Sequence, residues 1–280
     1  MTRKVKVMVV QPVIGAGGVG QGLQLLAEAG QQHADIALLP ECFNMIDFPL
    51  ADWPQHTEAP GGPVETRIRA IASEYSMYVV LPLARKIDGK HLNEAILIGR
   101  RGELMGRYAK THLARAIDAD IMHAVPGDEL PVFDLDFGRV GIMICYDNNF
   151  PWVAATLAVK GAEIIFYPHL QGGPSELIWE AQTRARAVDH CLYVVSCCTG
   201  VKHGSFWRPG FLYGRSSIVG PDGVFLCDAG RFEGITGAEI DLDWPHLMDI
   251  THEGDVRDMR RMIREDRRLS LYDCLAEDGE

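Results

Sequence analysis

The sequence predicts an α/β fold built around mixed β-sheets. Short apolar runs typical of buried strands alternate along the chain with segments whose apolar residues recur at helical spacing. Two passages, Val5–Pro40 and Val140–Pro168, have the order strand–helix–strand, which favours parallel pairing through a right-handed crossover. Between them, Asp88-Gly89 and Arg100–Gly102 are typical turns of antiparallel hairpins. Parallel and antiparallel pairs in one chain therefore indicate mixed sheets.

The strands are predicted from short apolar runs bounded by turn residues. In chain order they are Lys4–Gln11, Ile36–Pro40, Tyr78–Arg85, His91–Gly99, Glu103–Lys110, Val132–Leu135, Arg139–Cys145, Ala162–Tyr167, Leu192–Cys197, Ser216–Val219 and Ile235–Leu242.

The helices are predicted from apolar residues that recur every three or four positions. The first is Gly20–Ala34, and the second begins near Pro63, since proline suits the first turn of a helix, and extends to Tyr75. The remaining two are Trp152–Lys160 and Ser175–Asp189.

Composition and charge exclude several classes of function. The 280 residues are 47% hydrophobic and 23% charged, which is ordinary for a globular protein. A net charge of −11 argues against nonspecific binding to nucleic acid or to an anionic membrane. The seven cysteines include no CxxC pair, so neither a disulfide framework nor a zinc site is indicated. Without a signal peptide or an apolar segment long enough to span a membrane, we expect a cytoplasmic protein with reduced thiols.

The C-terminal segment differs in composition from the rest of the chain. Residues 1–245 form one predicted domain, whereas residues 246–280 form a charged tail. Within the tail, Asp255–Arg268 is dense in charges of both signs, which is typical of a solvated helix and not of a nucleic-acid site. We expect this tail to be helical and to pack on a partner subunit.

Three side chains that can take part in catalysis each end a predicted strand. Glu41 ends the run Ile36–Glu41, Lys110 ends Gly106–Lys110, and Cys145 ends Val140–Cys145. A strand holds its last residue on rigid backbone at the rim of a sheet, where a substrate has access. A carboxylate, an ammonium and a thiol in these positions are the components of a cysteine hydrolase that uses no histidine.

The segments around these residues resemble the three signature regions of the nitrilase, or carbon–nitrogen hydrolase, superfamily. The segments are Leu38-Leu-Pro-Glu41, Tyr108-Ala-Lys-Thr-His112 and Gly141-Ile-Met-Ile-Cys-Tyr-Asp147, in the order that the family has. The resemblance extends over nearly the whole chain. It implies a four-layer α-β-β-α sandwich whose subunits pair into a homodimer or higher homo-oligomer. It implies no metal and no organic cofactor.

The resemblance also implies the role of each residue of the triad. Glu41 takes the proton of the Cys145 thiol, and the thiolate attacks an amide carbon to give a thioester that water hydrolyses. The Lys110 ammonium stabilises the oxyanion of the tetrahedral intermediate. The backbone N–H of Tyr146, next to the nucleophile, is expected to be the second oxyanion donor.

Two departures from the family pattern concern acidic residues near the triad. Many members have a second active-site glutamate six residues before a Pro-Gly pair, here Pro126-Gly127, and counting back gives Asp120. We assign the second carboxylate to Asp120, with Asp118 as a neighbour that could replace it. The family often has an acidic residue after Phe-Pro, where this chain has Trp152. Trp152 is expected to form either a wall of the substrate pocket or part of a subunit contact.

The remaining candidate residues concern the substrate. Hydrolases of N-carbamoyl amino acids that resemble this group tend to have arginine shortly after the nucleophile, but this chain has Asn148 and Asn149. That difference argues against a clamped substrate carboxylate, and Asn149 is kept as a substrate-binding candidate. His169 follows a predicted strand at the same edge as the triad and is expected to line the substrate mouth. The walls of the substrate pocket are expected in the loops Phe43–Pro60, Leu113–Val125 and Leu170–Glu176.

These observations predict a hydrolase of carbon–nitrogen bonds other than peptide bonds, acting on a small linear amide or an N-carbamoyl compound. Tyr146-Asp147 follows Cys145 where true nitrilases typically have Trp-Glu, which favours amides over nitriles. The alternatives are a catalytically silent scaffold with the same fold, and nitrile hydrolysis or acyl transfer with the same triad.

Overall fold

The computed structural model describes residues 3–171, 175–205, 210, 212–244 and 246–272. The chain divides into two compact units, Met1–Asp243 and Trp244–Glu280. Within the described residues, no helix is both long enough and apolar enough to cross a membrane.

The larger unit contains two six-stranded mixed sheets. The first sheet has, in spatial order, β12 (Gly234–Asp241), β1 (Lys4–Gln11), β2 (Ile36–Leu38), β3 (Tyr78–Ile87), β4 (Lys90–Ile98) and β5 (Leu104–Ala109). The second has β11 (Phe225–Asp228), β10 (Ser217–Val219), β9 (Tyr193–Cys197), β8 (Ile164–Pro168), β7 (Arg139–Ile142) and β6 (Val132–Asp134).

Four helices of the larger unit cover the outer faces of the two sheets. Helices α1 (Gly18–Gln31) and α2 (Pro63–Tyr75) share an apolar core with the first sheet. Helices α3 (Pro151–Val159) and α4 (Glu176–His190) share another core with the second sheet. A third core lies between the sheets and draws on strands of both. The unit is therefore the predicted α-β-β-α sandwich.

Residue alternation along β1 shows how the sequence specifies these layers. Val7 and Val9 belong to the core between the sheets, whereas Met8 and Val10 belong to the core under α1 and α2. Successive side chains of a strand point to opposite faces, so the part of a strand that is covered on both faces is a continuous apolar run, here Val7–Val10. Full burial of each aliphatic side chain contributes about 1.5–3 kcal/mol.

In the first sheet, the strand directions bring the ends of β2 and β5, which precede Glu41 and Lys110, to one edge. β2 pairs in parallel with β3, and β3 and β4 pair antiparallel, as do β4 and β5. β2 and β5 therefore run in the same direction, and the residues that follow their carboxyl ends meet at one edge. The hairpin between β3 and β4 turns at Asp88-Gly89, where both residues have positive φ, as a type I′ turn requires.

The smaller unit contains a short hairpin and a short helix. β13 (Leu247–Asp249) pairs antiparallel with β14 (Val256–Asp258), and α5 (Met259–Glu265) follows directly. The Asp258 side chain caps α5 by accepting a hydrogen bond of 3.0 Å from the Arg261 N–H. The helix thus covers only part of the segment Asp255–Arg268 that we predicted to be helical, because Asp255–Asp258 contributes a turn and a strand.

Candidate active site

Glu41, Lys110 and Cys145 converge between the carboxyl ends of three strands. Glu41 follows β2 by three residues, Lys110 follows β5 directly, and Cys145 follows β7 by three residues. Together they line one cavity. The predicted strand Arg139–Cys145 is shorter in the structure, since β7 ends at Ile142 and Cys145 begins a 3₁₀ turn that extends to Asn149.

The Lys110 ammonium lies between two carboxylates. Its Nζ atom is 2.9 Å from Glu41 Oε1 and 2.7 Å from Asp118 Oδ2. All three side chains are almost fully buried, at 5% exposure or less. Buried charges persist only when they are paired and hydrogen-bonded, so each carboxylate depends on Lys110 and Lys110 depends on the two carboxylates.

Asn93 and a backbone amide complete the hydrogen bonds of this cluster. Asn93 Nδ2 donates to Glu41 Oε1 at 2.8 Å and to Asp118 Oδ1 at 3.0 Å. The N–H of Leu170 donates to Glu41 Oε2 at 2.9 Å. A carboxylate has about four lone-pair positions, and these contacts occupy three of those on Glu41. The remaining position is available to a donor in the cavity, and the Cys145 thiol lines the same cavity.

Cys145 has an unusual backbone conformation for a residue with a side chain. Its φ is +46°, in the left-handed region, and its side chain is partly buried against the core between the sheets. A non-glycine residue in this region costs on the order of 1–3 kcal/mol and persists where the surrounding structure imposes it. The conformation bends the chain sharply between β7 and the 3₁₀ turn.

The charges of the cluster favour a neutral thiol in the resting site. Burial, followed by the negative charge of Glu41, raises the pKa of the Cys145 thiol well above its usual range, although Lys110 acts in the opposite direction. Burial alone would lower the pKa of Lys110, but Glu41, Cys145 and Asp118 outweigh it and hold that pKa well above its ordinary value. The site therefore combines a permanent cation with a thiol that needs a base, and Glu41 is in place to take its proton.

A model of the family described as "Carbon-nitrogen hydrolase" matches residues 9–244. The chain belongs to the carbon–nitrogen hydrolase family. The predicted membership of the nitrilase superfamily is thereby confirmed, and with it the prediction of a hydrolase acting on carbon–nitrogen bonds other than peptide bonds.

Relatives and solved structures agree with this assignment. Omega-amidase NIT2 from Bos taurus is 33% identical over 231 residues, which cover 78% of this chain and 80% of the relative. The crystal structure of Nit3 from Saccharomyces cerevisiae, a member of branch 10 of the nitrilase superfamily, is 27% identical and covers 85% of this chain and 90% of its own, with a TM-score of 0.75.

A more distant structure has the same fold. An amidase variant from Nesterenkonia sp. AN1 is 20% identical and covers 97% of this chain and 99% of its own, with a TM-score of 0.79. In that protein, acrylamide has added to the active-site cysteine. These likenesses confirm the predicted four-layer fold.

Asp118, and not Asp120, lies at the lysine of this carbon–nitrogen hydrolase. Asp118 is 1% exposed and also accepts the Ala114 N–H at 2.7 Å, whereas Asp120 is exposed and is not among the residues that line the cavity. The assignment to Asp120 by counting back from Pro126-Gly127 is therefore not supported by the geometry. The reason is local: residues 115–119 form a π-helical turn, and its wider spacing turns position 118 inward.

Three of the four residues predicted to bind the substrate or the oxyanion have side chains outside the cavity. The Tyr146 side chain is 40% exposed and packs edge-on against Phe150. Asn149 is exposed, donates to the Tyr146 carbonyl and accepts from Gln182. Trp152 is 53% exposed at the start of α3. None of these three side chains lines the cavity as the described residues define it.

His169 is buried behind the cavity. Its Nε2 atom pairs with Ser196 Oγ at 2.9 Å, and its ring stacks on Tyr167. Burial lowers the pKa of His169 to about 3, so the ring is neutral at physiological pH. The structure thus places its neighbour Leu170 at the cavity, where His169 was expected.

The apolar residues of the cavity wall lie in the three loops in which the sequence analysis expected the walls. Trp53, Ala114, Ile117 and Leu170 supply its apolar surface, and about 40 Å³ is open to the centres of water-sized molecules. Asn93 was missed as a site residue, although a polar residue inside the apolar strand β4 was a signal. No comparable signal marks which residues of the wall loops face the cavity. Among the described residues, no group of three or more His, Cys, Asp or Glu side chains could hold a metal ion.

Proposed function

We propose that this carbon–nitrogen hydrolase cleaves short, uncharged amides through a thioester on Cys145. The observation that carries the proposal is the contact of the Lys110 ammonium with Glu41 beside the Cys145 thiol, inside a small apolar cavity. The similarity to omega-amidase NIT2 supports an amide as the substrate.

The first half-reaction forms the thioester. Glu41 removes the thiol proton as the sulfur of Cys145 forms a bond to the amide carbon, and the carbonyl oxygen becomes an oxyanion. The Lys110 ammonium and the Tyr146 N–H stabilise that charge, since the first N–H groups of a helical turn have no partner within the turn. The carbon–nitrogen bond then breaks while Glu41 returns its proton to the leaving amine.

The second half-reaction consumes one water. Glu41 removes a proton from this water as its oxygen attacks the thioester carbon, and Lys110 again faces the oxyanion. The carbon–sulfur bond breaks, the carboxylic acid leaves, and the sulfur recovers its proton from Glu41. The sum is hydrolysis of one amide to one acid and one amine or ammonia. Asp118 and Asn93 hold Lys110 and Glu41 in place throughout both steps.

The cavity favours acyl groups without charge. Among the described lining residues Lys110 is the only cation, and it is already paired with two carboxylates. A substrate carboxylate would bring a third negative charge into an apolar space, and an uncompensated buried charge is strongly unfavourable. The small volume, roughly that of three or four waters, favours short chains.

Ammonia release from a panel of substrates tests this proposal. The panel contains acetamide, propionamide and butyramide, the monoamides of succinic and glutaric acid, an N-carbamoyl compound and butyronitrile. We expect turnover of the neutral amides with kcat/KM at least about a hundredfold above the charged monoamides, a difference of about 2.7 kcal/mol.

The matched variants of this experiment are Cys145→Ala and Cys227→Ala. Cys227 lies on β11, outside the cavity, so its removal should leave activity unchanged. The Cys145 variant should lose all turnover, and mass spectrometry of the wild type should show an acyl adduct on Cys145. Turnover that survives in Cys145→Ala would refute the mechanism, and an unreactive Cys145 in folded wild type would favour a silent scaffold.

We also propose that the chain forms a homodimer through α3 and α4. Trp152 and Val159 on α3, and Leu177 and Val188 on α4, are apolar and 45–81% exposed. Their spacings of seven and eleven residues place them on one face of each helix. Paired apolar stripes on adjacent helices are typical of a surface that a second copy covers.

We propose a cytoplasmic location because the cysteines that the structure describes are not paired in disulfides. All six cysteines among the described residues are free, and Cys274 lies outside those residues. Unpaired cysteines are typical of reducing compartments. Cell fractionation followed by acid-quenched thiol labelling should recover the protein in the cytoplasmic fraction with reduced cysteines, and recovery from a secreted fraction would contradict the proposal.

A further inference from the structure

The Asp147 carboxylate joins residues 108–112, called the lysine segment because they contain Lys110, to the turn Cys145–Asn149, called the nucleophile turn. Asp147 is fully buried two residues after Cys145, and it makes five hydrogen bonds. Its Oδ2 atom accepts from Tyr108 Oη at 2.6 Å and from the Ile144 N–H at 2.8 Å. Its Oδ1 atom accepts from Thr111 Oγ1 at 3.1 Å and contacts the backbone N and Nδ1 of His112, each at 3.0 Å.

These partners belong to two different sheets. Tyr108 and Thr111 flank Lys110 at the end of β5 in the first sheet, whereas Ile144 precedes Cys145 beyond β7 in the second. Since β5 and β7 are in different sheets, backbone ladder bonds do not fix the distance between them. Other hydrogen bonds cross between the sheets, such as that from the Leu170 N–H to Glu41 Oε2. Among the described residues, those that join residues 108–112 to residues 144–149 all end on the Asp147 carboxylate. One carboxylate thus fixes the ammonium-bearing segment relative to the thiol-bearing turn.

The bond partners require a carboxylate at this position. An ionised carboxylate only accepts hydrogen bonds, and hydrogen bonds to an ionised group are shorter and stronger than neutral ones. Burial and the Asp147 charge raise the pKa of Tyr108 well above its usual range, so its hydroxyl remains a donor. The His112 ring stacks on Phe150 at 3.9 Å between centroids and covers the outer side of the contact.

We propose that Asp147 is a positioning residue that holds the Lys110 ammonium at the distance from the Cys145 sulfur that thiolate and oxyanion stabilisation require. This inference rests on the proposed roles of Lys110 and Cys145. Asp147 itself does not line the cavity and acts through the residues that flank the other two.

Asp147→Asn is the first test, with Glu65→Gln as the matched control. Asparagine has nearly the same shape as aspartate, but its NH₂ group would face partners that themselves donate hydrogen bonds, so some of those bonds would be lost. Glu65 is an equally buried carboxylate, paired with Arg85 at 2.9 Å and outside the cavity. We expect kcat for a neutral amide to fall about a hundredfold in Asp147→Asn with KM within twofold, and Glu65→Gln to lower the melting temperature without changing kcat per folded molecule.

Thr111 provides a milder pair of variants for the case in which Asp147→Asn does not fold. Thr111→Val removes the hydroxyl bond to Asp147 and keeps the shape, whereas Thr111→Ser keeps the bond. We expect a loss of about fivefold to tenfold in kcat for valine and rescue to near the wild-type value for serine. Equal kcat in the two variants, or kcat in Asp147→Asn within threefold of wild type, would overturn the positioning role.

A second readout separates this inference from the proposed function. The rate at which iodoacetamide alkylates Cys145 at pH 8, followed by mass spectrometry, depends on the fraction of thiolate and not on amide turnover. We expect this rate to fall about tenfold in Asp147→Asn and to remain unchanged in Glu65→Gln. If the wild type hydrolysed no amide but the alkylation rate still fell, the proposed function would fail and the positioning role would stand. An unchanged alkylation rate would reject the positioning role.

Discussion

Lys110 determines the charge balance of the candidate site at the scale of single residues. It faces Glu41 and Asp118 at hydrogen-bonding distance, so the resting cluster of ammonium, two carboxylates and neutral thiol carries one net negative charge. In the proposed mechanism Glu41 takes the thiol proton, so the negative charge moves to sulfur and the net charge of the cluster stays the same. Because the lysine pKa is held well above its ordinary value, the cation persists at every step. In the proposed mechanism, one fixed charge therefore stabilises both the thiolate and the oxyanion.

Asp118 and Asp120 can be distinguished by paired substitutions. In Asp118→Asn an NH₂ group would face either Lys110 or Asn93, both of which donate, and Lys110 would lose one of its two carboxylates. Loss of one partner of a buried ion pair costs about 3–5 kcal/mol. We expect a lower melting temperature and a loss of about tenfold to a hundredfold in kcat.

Asp120→Asn, at an exposed position two residues on, is the control. Steady-state kinetics and thermal unfolding of both variants check the prediction, and Asp120→Asn should remain within about twofold of wild type. A larger effect for Asp120 than for Asp118 would restore the assignment made from the sequence.

At the scale of elements, the sequence predicted regular structure better than the turns that form the site. β1 was predicted with its observed bounds, because its residues Val7–Val10 are apolar on both faces, as in a strand between two layers. Glu41, Lys110 and Cys145 were predicted from their positions at strand ends. Asp118 was predicted only as an alternative to Asp120, and the walls only as loops. The individual residues were not predicted, because the π-helical turn at 115–119 and the 3₁₀ turn at 50–55 follow from packing and have no period visible in the sequence.

The π-helical turn also determines one wall of the cavity. Ile117, 40% exposed, presents its side chain at the mouth, so we expect Ile117→Ala to admit longer acyl chains. One methylene in a hydrophobic pocket changes specificity by about tenfold or more, and we expect kcat/KM for hexanamide to rise about tenfold relative to acetamide. Ile14→Ala, at an exposed isoleucine outside the cavity, should leave this ratio unchanged. The measurement is kcat/KM of both variants for hexanamide and acetamide. An unchanged ratio in Ile117→Ala would show that Ile117 does not limit the length of the acyl chain.

At the scale of the whole molecule, the layers of the larger unit differ in how completely they are covered. The cores between the sheets and under each helix pair are closed, with most of their residues fully buried. The outward faces of α3 and α4, in contrast, expose large apolar side chains to solvent in the single chain. The turn that holds Cys145 leads directly into α3, because Phe150 is the only residue between Asn149, which ends the turn, and Pro151, which begins the helix. A second copy on this face would therefore support the segment that holds Cys145.

Leu177→Glu tests the proposed dimer. Leu177 is 81% exposed in the single chain, so a charge there should not disturb the fold, whereas a glutamate buried without a partner in a dimer interface is strongly unfavourable. Light scattering after size-exclusion chromatography should show the mass fall from two chains to one. Leu104→Glu, on the edge strand β5 of the other sheet and 49% exposed, is the matched control and should remain dimeric. Because α3 continues from the nucleophile turn, the monomeric variant should also lose activity at low protein concentration. A Leu177 variant that keeps the mass of two chains would exclude the α3–α4 face as the interface, and a wild type with the mass of one chain would exclude the dimer.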